Sequence, residues 1–191
     1  MNLRMTDPPD VEPVSVAEAK EHCKIEHALE DGYVASLVKA ATGAAESFLN
    51  RALITQKWEM SFDCFPASPI EILKPPLQSV DSIKYIDVNG VEQTLAPSEY
   101  EVDTGGETGR VALREGKSWP STKTTLNAVK IAFTAGYGSA GTDVPEQIRQ
   151  GIKLIVGELY ERRENAIVGA PIETVPLSSH YLFWPLRVIR F

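Results

Sequence analysis

The stretch "ATGAAESFLNRALITQKWEMSFD", residues 41–63, holds the change of pattern that decides the fold. Its first part carries Ala41, Ala44, Ala45, Phe48 and Leu49 at the three- and four-residue spacing of one helix face. From Leu53 the period changes, and "TQKWEMSFD" alternates apolar and polar side chains as a half-buried strand does. A helix therefore hands over to strands inside one short stretch.

Upstream, the helical pattern extends back through Val38, Leu37, Val34 and Tyr33 to Glu30 and Asp31, whose charges suit the positive end of a helix dipole. This predicts a helix over 30–50. Before it, Ser15 and Glu18 form an S-x-x-E capping box that opens a short helix over 15–25. Residues 1–13 hold Pro8, Pro9 and Pro13 and read as an extended N-terminal arm.

Downstream, "IEILK", "VDSIKYIDV", "VEQTL", "YEVD", "RVALR" and "AVKIAFTAG" are further strand-like runs. Asn89-Gly90 between two of them is a strong hairpin signal. Prolines fall between the runs, where a missing N–H does little harm, and "KPPLQSV" reads as a rigid corner. Residues 53–138 are expected to form an antiparallel β module of about seven short strands. Helix returns over 144–164, where Asp143 and Glu146 repeat the capping-box spacing and Pro145 suits a first turn. Ile148, Ile152, Ile155 and Leu159 form its apolar stripe, with Val156 and Tyr160 beside it. Gly169, Pro171 and Pro176 then separate a tail, 166–191, from that helix. The fold class is α+β: a small helical bundle carrying an inserted antiparallel β module, followed by an extended C-terminal tail. The β module interrupts one mixed domain over 14–165, because the three helices each need a partner for an apolar face.

Composition narrows the function. The chain has 191 residues, 43% of them hydrophobic, which supports a core. The net charge of −7 argues against a sequence-independent nucleic-acid binder, which needs a basic footprint. No run approaches a membrane span, and the polar N-terminus is not a signal peptide. Cys23 and Cys64 lack metal-like or redox-like spacing and read as ordinary thiols of a reducing compartment.

Each candidate chemical motif has a plainer explanation. "GYGSAG", residues 136–141, matches G-x-G-x-x-G, but the helix begins after the third glycine and no strand follows it, so the dinucleotide context is missing. "TGGETG", residues 104–109, lacks the Lys-Ser/Thr ending of a phosphate loop and sits between strand-like flanks as a hairpin loop would. His22, Cys23, Glu26 and His27 crowd one segment, but His27 turns away from the His22–Glu26 face; a solvated polar face explains them better than a metal site. With no assembled acid, base and nucleophile, the chain reads as a non-enzyme with no cofactor and no metal.

Two features point to partners. Ala40, Ala41, Ala44 and Ala45 make the second helix slim, which suits close packing inside one subunit or against a neighbouring subunit. The tail ends in "SSHYLFWPLRVIRF", and Tyr181, Leu182, Phe183, Trp184, Leu186, Arg187, Ile189, Arg190 and Phe191 give it the aromatic and arginine content of an interface hot spot. Folding back over its own core is the alternative.

Four stretches in order carry a resemblance: "SVAEAKEHCKIEHALEDGYVASLVKAATGAAESFLNRALITQKWEM", "LKPPLQSVDSIKYIDVNGVEQTL", "FTAGYG" and "VPEQIRQGIKLIVGELYERRE". Over 14–164 the chain resembles the head–tail connector, or adaptor, proteins of long-tailed phages, prophages and gene transfer agents. Beyond Glu164 only the closing "RVIRF" continues the likeness. The resemblance implies a structural virion protein, made in the host bacterial cytoplasm and located at the head–tail junction. It implies a homo-oligomeric ring of about twelve subunits, stacked on the portal protein, extending the DNA channel and receiving a stopper or tail-completion protein. It also implies a tail that reaches the portal, no enzymatic activity and no cofactor. The acidic balance suits a channel in which DNA slides without being gripped. A rival reading is a ligand- or carbohydrate-binding β module on a helical base, with Trp58 and Trp119 as exposed aromatics.

Overall fold

A computed structural model describes residues 1–162 and 178–189. The chain divides into a β unit, Met1–Pro9 with Thr55–Tyr137, and a helical unit, Asp10–Ile54 with Gly138–Phe191.

The β unit holds eight strands: β1 (Asn2–Asp7), β2 (Gln56–Phe62), β3 (Ile70–Glu71), β4 (Leu77–Ile86), β5 (Glu92–Thr94), β6 (Tyr100–Asp103), β7 (Arg110–Leu113) and β8 (Val129–Ala135). Seven of them fall within the expected insertion. One antiparallel sheet runs β1-β2-β8-β4-β5 and a second runs β3-β7-β6. The central strand β8 alternates as predicted: Val129, Ile131, Phe133 and Ala135 are buried. Register places Trp58 opposite Phe133 and Met60 opposite Ile131, so cross-strand pairs build the core. Ile70, Tyr100 and Val111 add buried side chains from the second sheet. The two sheets meet where Leu77 lies against Gly109: any side chain at Gly109 would overlap it.

The turns follow from their residues. At Asn89-Gly90, Gly90 takes φ +84° and the Asp87 carboxylate accepts from the Asn89 and Val91 N–H groups at 2.9 and 3.0 Å. Those bonds, with one from Gln93, hold the Asp87 carboxyl below the usual carboxylate range. "TGGETG" is the loop between β6 and β7. The corner before β4 has Lys74 at φ 60° and a cis Pro75–Pro76 bond.

The N-terminal arm is paired with the sheet. Residues 2–7 pair with β2 as an edge strand, from Asn2 opposite Ser61 to Asp7 opposite Lys57. The backbone ladder supplied by β2 orders a short segment in which Met1, Leu3 and Met5 alternate with polar neighbours.

The helical unit contains α1 (Val16–Cys23), α2 (Asp31–Leu49), α3 (Glu146–Glu161) and α4 (Ser178–Phe183), the last running into a 3-10 turn, Trp184–Leu186. Its core is Val34, Val38, Ala41, Ala45 and Leu49 of α2 with Ile148, Ile152 and Val156 of α3. The first capping box forms: the Glu18 N–H donates to Ser15 Oγ at 3.2 Å and the Ser15 N–H to Glu18 Oε2 at 2.9 Å. Lys24 and Asn50 end α1 and α2 in the left-handed region.

The second capping box does not form. Pro145 occupies the cap position of α3 without a side-chain bond, and the Asp143 carboxylate instead accepts from the Ala140 N–H at 2.9 Å. Glu146 pairs with Arg149 at 2.5 Å and Lys153 at 3.1 Å. The apolar stripe of α3 also shifts. Gly151 and Val156 are buried, whereas Leu159 is exposed and Ile155 half-buried. Arg149 ties three segments together, bonding Glu18, Glu146 and the Pro13 carbonyl.

The glycines of "GYGSAG" have structural duties. Gly136 takes φ 133°, Gly138 leaves room for the Asp143 carboxylate, and Gly141 lies against the Pro13 carbonyl.

Candidate functional site

The tail is the feature that most needs explaining, and its described part, 178–189, lies on α2 and α3. Phe183 is buried, its ring over Gly151 of α3. Val188 is also buried; its N–H donates to the Leu49 carbonyl at 3.0 Å and its carbonyl accepts from Asn50 Nδ2 at 2.9 Å. Arg51 Nε donates to the Leu186 carbonyl at 2.6 Å, and Gln147 Nε2 to the Leu182 carbonyl at 2.7 Å. Side-chain donors from the helical base thus satisfy carbonyls that the short α4 and its 3-10 turn leave open.

Phe48 organises the surface above this anchor. His180 stacks on it with centroids 4.8 Å apart, and Phe183 and Trp184 tilt against it at 6.1 and 6.3 Å. The Arg187 guanidinium lies 4.9 Å from the Phe48 centroid and 5.6 Å from that of Trp184, a cation–π arrangement. Around it Tyr181, Trp184 and Ile189 are 74%, 59% and 57% exposed. The result is an anchored segment with an outward aromatic and aliphatic surface around a fixed cation.

The sequence-predicted tail residues therefore divide. Phe183 belongs to the chain's own core, which corrects the expectation of a docking side chain there: Gly151 opens a slot that an aromatic ring fills. Leu182, Leu186 and Arg187 are half-buried. Tyr181, Trp184 and Ile189 face outward, and Arg190 and Phe191 lie outside the described residues. Sequence reasoning missed Phe48, Asn50, Arg51, Gln147 and Gly151 as parts of this site. Gly151 was the available signal, because a glycine inside a helix costs about 1 kcal/mol relative to alanine unless something needs the space.

The slim face of α2 divides too. Ala41 and Ala45 are buried, so the packing of this subunit accounts for them; Ala40 and Ala44 are exposed, as are Gly43 and Ser47.

Other motifs do not assemble chemistry. His27 Nε2 lies 3.9 Å from Glu30, and no group of three or more metal-ligating side chains occurs among the described residues. Cys23 and Cys64 are free, and burial pushes the Cys23 thiol up. Trp58 is buried with Lys74 above its ring, and Trp119 is half-buried and stacked on Phe65 at 4.7 Å. Neither is the exposed platform that the carbohydrate reading requires. Among the described residues no helix is long and apolar enough to cross a membrane.

Comparison with known proteins agrees with this architecture. The phage gp6-like head-tail connector protein family matches residues 13–108, and the chain belongs to that family. It is a structural protein of the virion, an adaptor of the head–tail junction. No curated protein matches it. Among solved structures it is similar to a chain in the neck of an empty gene transfer agent particle computed with C6 symmetry. That likeness has a TM-score of 0.83 at 23% identity, covering 100% of this chain and 97% of the other. A chain in the virion of a native gene transfer agent particle and one in a native neck computed with C12 symmetry each give 0.81 at 22% identity over the same shares. At these identities the likeness establishes the fold.

Proposed function

We propose that this connector forms a twelve-subunit ring between portal and tail, with the outward surface of its C-terminal segment against the portal protein. The C12 symmetry of a similar neck supports the subunit number. The observation that carries the portal contact is the exposure of Tyr181, Trp184 and Ile189 on a segment whose backbone is pinned to α2 and α3. Pinning lowers the ordering cost of binding, and aromatic side chains around an arginine supply hot-spot chemistry. Leu182, Leu186 and Arg187 frame the same contact, and Arg190 and Phe191 continue it in sequence. Exposed Ala40 and Ala44 lie at the subunit boundary of the ring, where small side chains permit close approach.

The ring extends the channel for DNA and offers its other face to a stopper or tail-completion protein. A net charge of −7 suits a wall that repels phosphate. The role is mechanical, with no catalysis and no cofactor. Negative-stain microscopy of the purified protein with its portal tests the reading. Stacked rings are expected; separate portal rings and dispersed connector monomers at high concentration would overturn it.

A further inference from the structure

The strand β1 is held in an unusual way. Of its six side chains only Leu3 is half-buried, and the rest are exposed. Its attachment is the backbone ladder to β2 and two ion pairs, Arg4–Glu59 at 3.2 Å and Asp7–Lys57 at 3.9 Å. Met1, Met5 and Val11 leave large apolar side chains in water along the same segment. Ordering six residues carries an entropic cost that so little burial barely offsets. Five residues, Pro8–Glu12, then lead to Pro13, whose carbonyl accepts from Arg149 Nε, and to buried Val14. This hinge is short, and short hinges are where an element exchanges between copies.

The backbone ladder and both ion pairs of β1 are available, atom for atom, on β2 of a second copy. A ring needs a heterologous contact, one surface of each subunit meeting a different surface of the next. The arm and the outer edge of β2 are such a pair. We propose that β1 is exchanged in the assembled ring: residues 2–7 of each subunit pair with β2 of its neighbour and cover Met1 and Met5 at the boundary. This rests on the ring reading and adds the device that links its members.

The test uses the full chain with Cys23→Ser and Cys64→Ser, so that the only thiols are those of Arg4→Cys and Glu59→Cys, which face one another across the ladder. Rings are isolated, oxidised, and run on a denaturing gel without reductant. The expected result is a ladder of covalent multimers. Rings that yield only internally bridged monomers, or no bridge, would overturn the exchange while leaving the ring intact. Absence of rings for the unmodified chain with its portal would remove the ring reading and the exchange with it. A second variant lacking residues 2–7 should keep its helical circular dichroism and lose the ring mass by light scattering. Rings of unchanged mass from that variant would also overturn the proposal.

Discussion

The Phe183 ring occupies the space over Gly151 that any side chain at that position would need. Helix propensity alone says that Gly151→Ala should stabilise α3 by about 1 kcal/mol. Displacement of Phe183 predicts the opposite sign, a net loss of about 1–3 kcal/mol as for an overpacked core. Phe183→Ala should cost about 3–5 kcal/mol. Urea unfolding of both variants checks this, and a higher midpoint for Gly151→Ala would show that the ring does not rest there.

Tyr181 and Trp184 are exposed, so removing them should leave the fold alone. The double variant Tyr181→Ala, Trp184→Ala is expected to melt within about 2 °C of the parent, since surface substitutions change stability little. Its affinity for the portal should fall at least about tenfold, the loss of one hot spot of roughly 1.4 kcal/mol or more. Pull-down at graded portal concentration measures it, and equal retention by the parent and the variant would remove these side chains from the contact.

Ala44 and Ala41 stand three residues apart on α2 with different surroundings: Ala44 is exposed and Ala41 fully buried. Ala44→Trp should give a folded protein with altered ring mass by light scattering, because the bulk would fall at the proposed subunit boundary. Ala41→Trp should lower stability by several kcal/mol before assembly is reached, as overpacking does. A ring unaffected by Ala44→Trp would place the boundary elsewhere.

Glu18 provides a pH test. The Ser15 N–H bond is the main cause of its lowered carboxyl pKa, helped by the Ser15 hydroxyl and the Arg149 charge and opposed by desolvation. A folded value below the unfolded one means the contribution is complete above the unfolded value, near pH 4.5, and disappears as pH falls through the folded value. Its side chain is 38% exposed, so after solvent screening the contribution is no more than about 1 kcal/mol. The stability gap between the parent and Glu18→Gln should be constant from pH 6 to 8 and close on acidification below about pH 4. A gap that persists at pH 2 would assign the effect to shape rather than charge.

What sequence reading could see was governed by how local the physics was. The capping box at Ser15, the alternation of β8 and the Asn89-Gly90 turn depend on residues within a few positions of each other, and all three form. Asp143 misled because its spacing to Glu146 is right while Pro145 takes the cap position and Ala140 offers a nearer N–H. Leu159 misled because a stripe drawn along one helix does not register where its partner helix ends. The strand β1 and the seat of Phe183 depend on β2 and on Gly151, far away in sequence; the alternation of Met1, Leu3 and Met5 with polar neighbours marks residues 1–6 as extended but does not name the strand they pair with. The seating of the tail was open between its own core and a foreign surface, and residues 178–189 take some of each: Phe183 and Val188 go inward, Tyr181, Trp184 and Ile189 outward.

Ile54 and Gly138 form a parallel bridge, so the chain leaves the helices and rejoins them at one spot. To the helices, residues 55–137 are a single loop whose two stems touch. Lengthening such a loop is cheap, about 0.6 kcal/mol for each doubling. Residues between the stems can therefore be added or removed at little entropic cost to the helices.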